Sequence, residues 1–203
     1  MGTKERKERE KLEMKDLILR SAHHLFLDKG FDQVSIRNIA EAIEYSPATI
    51  YLYFKDKDEI FYALHGEAFK SFNAFVGPIT TIKDPLERLF TLGEKYMEFA
   101  ATNPKYYEIM FITESPMRCE ENSEKWQDGE RTLHFLESIV EECKSKGHFK
   151  GQNTQVLSFA IWSFMHGICS LALRDRMKVY KEEVGKEMQL KGFETFKQML
   201  TKI

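Results

Sequence analysis

At 203 residues the chain is long enough for one medium domain or two small ones with a sizeable core. Hydrophobic residues make up 42% and charged residues 31%, with 16 Phe, 8 Tyr and 2 Trp, which excludes a disordered, collagenous or low-complexity chain and predicts a soluble globule. The formal net charge of -2 excludes a whole-molecule attraction to nucleic acid or to an anionic membrane, so any such binding has to come from local placement.

Helix punctuation recurs along the chain. The first predicted helix runs from about Leu12 to Lys29, with Leu17, Ala22, Leu25 and Phe26 on one face and Gly30 placed to cap its C-terminus. Ser35 caps a second helix reaching about Ile43, stapled by Val34 and Ile39, and Ser46 caps a third that opens on Pro47 and ends near Phe54, stapled by Tyr45 and Ile50. Asp56 and Glu59 form a capping box for a fourth helix, which Gly77-Pro78 ends near Val76. Asp84-Pro85 and Asn103-Pro104 start the fifth and sixth. A mobile loop is expected from Glu114 to Asp128. A seventh helix then runs to Lys146-Gly147, an eighth from about Thr154 to Arg174 and a ninth from about Lys181 to Leu200. No strand-period alternation of useful length and no internal repeat interrupts them, so the fold class is all-α.

Cys119, Cys143 and Cys169 are scattered, with no CxxC pair, as suits a reducing cytoplasm. Met1 to Lys15 alternates Lys, Arg and Glu without an apolar stretch, so no secretory signal is expected. Val156 to Leu173 carries no charge but includes Ser158, Ser163, His166, Gly167 and Ser170; it reads as a buried core helix rather than a membrane span.

The second and third helices, separated by Glu44-Tyr45-Ser46, have the form of a helix-turn-helix, whose second helix enters the major groove. Ile39, Ala40, Ile43, Tyr45, Ile50 and Tyr53 supply the apolar positions for packing them together; an ordinary helical hairpin has the same pattern. The run from Gly30-Phe31 through Val34-Ser35-Ile36-Arg37-Asn38-Ile39-Ala40 to Ser46-Pro47-Ala48-Thr49-Ile50-Tyr51-Leu52-Tyr53-Phe54-Lys55-Asp56-Lys57-Asp58-Glu59-Ile60 decides between them, because it resembles the signature of the tetracycline-repressor (TetR) family.

That resemblance implies a three-helix DNA-binding domain over residues 1–55 and a helical effector-binding and dimerisation domain over 56–203. Ser35, Thr49, Tyr53 and Lys57 match positions that meet phosphates, and Arg37, Pro47, Ala48, Tyr51 and Leu52 match positions that touch base edges or the groove floor, with Ser46 beside them. For Ile50 and Tyr53 plain packing is the alternative. Two features depart from the pattern. Glu44 stands where many members have Gly, so it either accepts a positive φ or the turn is built differently. Residues 1–60 hold seven Lys and four Arg against twelve carboxylates, so the usual basic footprint is absent. The Lys4 to Lys15 arm reads either as extra phosphate contacts or as a solvated helix extension.

Beyond residue 60 no catalytic or phosphate-binding motif is found, and no metal site or cofactor is expected; Glu130, His134 and Glu137 share a helix face but read as a solvated one. Trp162-Ser163-Phe164-Met165-His166-Gly167 is similar to the WxxxHG motif of one C-terminal domain type in the family, which places Trp162, Met165 and His166 near an effector cavity; stacked core residues, with Gly167 permitting close helix contact, are the alternative. Phe99, Tyr107, Met110 and Phe111, with Tyr106 nearby, are the other candidate lining residues, suited to a neutral or aromatic molecule or a lipophilic cation. The implied protein is a cytoplasmic homodimeric regulator, not an enzyme, that leaves a double-stranded operator when a small apolar effector binds. A helical scaffold that has kept the fold without operator binding is the alternative. The eighth and ninth helices are expected to pair across the dimer axis, with Gly192 allowing a close crossing.

Overall fold

The computed structural model describes residues 3–113 and 127–203. The loop expected over 114–128, and Cys119 with it, lies outside the described residues, except that its last two positions already belong to a helix. Among the described residues there are nine α-helices and no strand: α1 (Thr3–Lys29), α2 (Ile36–Ala42), α3 (Pro47–Tyr51), α4 (Lys57–Val76), α5 (Pro85–Thr102), α6 (Pro104–Phe111), α7 (Gln127–Ser145), α8 (Thr154–Leu173) and α9 (Glu182–Leu200).

The caps follow side-chain chemistry. Ser35 Oγ accepts from Asn38 N at 3.2 Å while Asn38 Oδ1 accepts from Ser35 N at 2.9 Å, a reciprocal capping box. Ser46 Oγ accepts from Thr49 N at 3.3 Å, Asp84 Oδ1 from Glu87 N at 2.8 Å and Asn153 Oδ1 from Val156 N at 3.0 Å. At α4, Asp56 Oδ1 accepts from Glu59 N at 2.8 Å, but the Glu59 carboxylate reaches back to Lys55 N rather than to Asp56 N, so the expected box closes one residue earlier. Helix α3 stops at Tyr51, short of Phe54, and α1 begins at Thr3, so the charged arm is helical.

The chain folds as two compact units, 1–69 with 105–125 and 70–104 with 126–203. In the first, Ile18, Ala22 and Phe26 of α1, Ile39 and Ala40 of α2, Ile50 of α3, Ile60, Phe61 and Leu64 of α4 and Ile109 of α6 form one buried core. Helix α6 therefore joins this core, and His23 of α1 stacks on Tyr106 at 5.6 Å between ring centroids. In the second unit α5, α7 and α8 pack together around Leu89, Ile139, Val140, Phe149, Leu157 and Ile161. Arg88 of α5 donates to both carboxylate oxygens of Glu142 on α7, at 3.0 and 3.1 Å.

Within the chain, among the described glycines, the closest contact is at Gly93. A Cβ on Gly93 of α5 would lie 2.7 Å from the Phe193 ring of α9, whereas one on Gly192 meets only Ile168 at 3.9 Å and one on Gly167 meets nothing within 4 Å. Helix α8 is long and apolar enough to cross a membrane by length and composition alone. Contrary to a fully buried core helix, it covers only one flank in the chain: Leu157, Ile161, Met165 and Cys169 are buried, but Val156 is 67% and Phe159 61% exposed.

Candidate DNA-binding and effector site

Helix α2 ends in two overlapping hydrogen bonds, Tyr45 N to Ala40 O at 2.9 Å and Glu44 N to Glu41 O at 3.2 Å. This is a Schellman turn, which needs its penultimate residue in the left-handed region. Glu44 takes that place with φ 62°, so the first of the two possibilities at this departure is the one realised. The turn sets α3 against α2 through Ile39, Ala40 and Ile50, each 0% exposed.

What this packing leaves outside is one face of α3. Pro47, Ala48, Tyr51 and Leu52 are exposed, with Leu52 at 78%; Thr49 is half-buried, its hydroxyl 3.1 Å from that of Ser46. Tyr53 is also half-buried and packs on the core, and Tyr45, expected as a staple, is 46% exposed. Arg37 projects from α2 and pairs with Glu41 at 2.9 Å. Ser35 is exposed, its hydroxyl donating to Asn38 Oδ1 at 2.7 Å. Lys57 carries a structural duty: its ammonium donates to Phe31 O at 2.7 Å and lies 4.1 Å from the Phe31 ring centroid, tying the turn after α1 to the start of α4.

The seven candidate effector residues divide between the units. Tyr107, Met110 and Phe111 lie on α6 in the first, where Tyr107 is 1% exposed and meets Phe111 edge-on at 5.2 Å. Phe99, Trp162, Met165 and His166 lie in the second; Phe99 and Met165 are buried, and half-buried Trp162 and His166 stand edge-on at 6.5 Å. Burial holds the His166 imidazole below its ordinary range. Burial also pushes the Cys143 thiol up to about 11 and that of Cys169 up to about 12, so neither is a thiolate at neutral pH. No cluster of three His, Cys, Asp or Glu able to hold a metal occurs among the described residues. A cleft of about 370 Å³, which sequence reasoning missed, opens in the first unit beside Phe26, Leu27, Phe31, Asp32 and Glu108; none of the seven lines it. It forms where the turn after α1 meets α6, a pairing with no local sequence signal.

Residues 18–64 match the model for bacterial regulatory proteins of the tetR family, and residues 89–189 match a tetracyclin repressor-like C-terminal domain. The chain belongs to the TetR family of transcriptional regulators. Its helix-turn-helix is therefore a DNA-binding element, and the second match spans the Trp162–Gly167 run. The HTH-type transcriptional regulator HbdR of Aromatoleum is 24% identical over 156 residues, 76% of this TetR-family chain and 68% of that protein. Among solved structures, AibR in complex with isovaleryl coenzyme A and operator DNA superposes with a TM-score of 0.73 at 17% identity, covering 92% of this chain and 97% of that one. FadR from Bacillus subtilis in complex with stearoyl-CoA gives 0.66 at 19% identity, covering 88% and 95%.

Proposed function

We propose that this TetR-family protein is a cytoplasmic homodimeric repressor that releases a palindromic operator when an acyl-coenzyme A thioester binds. The observation that carries the DNA half of this reading is the exposed face of α3 on a buried Ile39–Ala40–Ile50 support. Residues 1–55 provide the DNA contacts: Arg37, Pro47, Ala48, Tyr51 and Leu52 at the groove, and Ser35, Ser46, Thr49 and Tyr53 at the backbone, joined by Lys57 from the start of α4. Residues 56–203 provide the effector and dimer contacts.

The acyl half of the effector suits the apolar and aromatic side chains Phe99, Trp162 and Met165 of the second unit, where burial favours the uncharged His166 ring. AibR and FadR, bound to acyl-coenzyme A thioesters, support that ligand class. Three of the contact residues lie on α6, which shares a core with α1 and α4 through Ile109. A ligand that moves Tyr107 or Phe111 thereby acts on the packing of the DNA-binding unit, and its power to release DNA equals its preference for one arrangement over the other.

Selection of genomic fragments by the purified protein tests the reading. Enrichment of one palindrome, and its release by acyl-coenzyme A thioesters but not by free coenzyme A, is the expected result. Enrichment of no sequence would overturn it.

A further inference from the structure

The geometry points to thymine C5-methyl groups as the principal sequence signal read by α3, an inference that rests on the DNA-binding reading above. Hydrogen-bonded discrimination in the major groove is carried by Arg or Lys at guanine, Asn or Gln at adenine and Asp or Glu at cytosine. None of these residue types lies on α3. Its exposed face is Pro47, Ala48 and Tyr51, continued by Leu52 at the C-cap, spaced i, i+1, i+4 and i+5, with Ile50 at 0% exposure on the opposite side. The Tyr51 hydroxyl both donates and accepts, so it discriminates poorly among base edges.

The polar groups on α2 beside it make contacts within their own helix. Asn38 Oδ1 accepts from both the backbone N and the hydroxyl of Ser35, at 2.9 and 2.7 Å. Arg37, the one cation on α2, forms an exposed ion pair with Glu41 at 2.9 Å and stays able to reach phosphate or a base. What α3 and its C-cap themselves offer the groove is mainly apolar surface: Leu52 at 78% exposure, Tyr51 at 56% and the Ala48 methyl. The apolar group that a base pair presents in the major groove is the thymine methyl, and Ala and other apolar side chains meet it directly.

The test uses the full-length protein and the palindrome obtained by genomic-fragment selection. Each thymine is replaced singly by deoxyuridine, which removes the methyl and keeps every hydrogen-bonding group, and affinity is read by fluorescence anisotropy at one salt concentration. We expect a loss of about fourfold per buried methyl at a small cluster of thymines in each half-site, and about fifteenfold when symmetry-related thymines are replaced together. Leu52→Ala, exposed and remote from the core, should bind the parent operator more weakly and show a smaller deoxyuridine effect. If no sequence is enriched, the DNA-binding reading itself falls and this inference with it. If an operator is enriched but every deoxyuridine version binds as tightly as the parent, the inference is overturned and the reading stands. A deoxyuridine effect of full size in both Leu52→Ala and Tyr51→Ala would place the methyl contact outside α3 and overturn it equally.

Discussion

Glu44 is the residue at which local preference and fold disagree. Its φ of 62° closes the Schellman turn that orients α3, and an L-residue with a Cβ pays roughly 1–2 kcal/mol there that glycine does not. Nothing in the structure explains the choice of glutamate. Glu44→Gly should therefore stabilise the protein by about 1 kcal/mol after allowance for the extra freedom of glycine in the unfolded chain, raising the melting temperature by about 2–4 °C. It also removes a carboxylate beside α3, so operator affinity should rise. A lower melting temperature in calorimetry would show that the turn relies on the side chain.

His166 makes a second residue-scale expectation. Burial depresses its folded-state pKa below the 6.5 of an unfolded chain. Above pH 6.5 both states hold the ring neutral and its contribution is constant. Below that, the unfolded chain takes up a proton that the folded one resists, so stability falls with acid. His23 acts in the same sense, its pKa lowered chiefly by burial, with the hydrogen bond to Lys105 O opposing. Urea unfolding between pH 7.5 and 5.5 should show this loss, and His166→Gln should reduce it; superimposable profiles for the two proteins would remove His166 from the cause.

At the scale of the element, α1 joins two environments in one register. The face that buries Ile18, Ala22 and Phe26 continues backward, at three- and four-residue spacing, through Lys15, Lys11, Lys7 and Lys4. Lys15 still lies 5.5 Å from the Phe54 ring, while Lys11, Lys7 and Lys4 are exposed. Around the rest of the helix, arginines pair with carboxylates: Arg6 with Glu10 at 2.8 Å and Arg20 with Asp16 at 2.9 Å. Composition hides this separation, because the sum over the segment is near neutral. Neutralising one lysine by Lys7→Gln or Lys11→Gln should lower the salt dependence of operator binding by roughly 0.9 for each phosphate left without its cation, and so by about twice that in a dimer. A slope identical to that of the parent would make the arm a solvated extension.

The same helices show what a sequence exposes and what it conceals. Ser35, Ser46 and Asp84 announce helix starts because a cap is an interaction over three residues. The approach of Gly93 to Phe193 has no such announcement, since neither residue carries a local signal and the fold alone brings them together. Helix α6 falls in the effector domain by its place in the chain, yet Ile109 commits it to the core of the first unit. The helix-turn-helix is legible through a family pattern, whereas the structural duty of Lys57 on Phe31 depends on a pairing 26 residues apart that no local pattern encodes.

At the scale of the whole molecule the unmatched surface is decisive. Val156, Phe159 and Leu171 are exposed on α8, and Val184 and Met188 on α9, five large apolar side chains on consecutive helices. Isolated exposed hydrophobics need no partner, but a row of them along an uncharged helix does. In the dimer proposed above, a second copy of the chain would supply the same two helices, and a twofold axis through them would make a self-complementary four-helix interface. It would also supply the second α3 that the proposed palindrome requires, with half-sites about 34 Å apart. Phe159→Asp places a charge on that exposed set without touching the buried Leu157, Ile161 and Met165. Sedimentation should show the parent dimeric at micromolar concentration and the variant monomeric with unchanged helix content. Operator affinity should fall with it, since a monomer engages a single half-site, while Leu52→Ala should weaken binding and leave the dimer intact. A monomeric parent protein, or a Phe159→Asp variant that still sediments as a dimer, would show that α8 and α9 meet something other than their own copies.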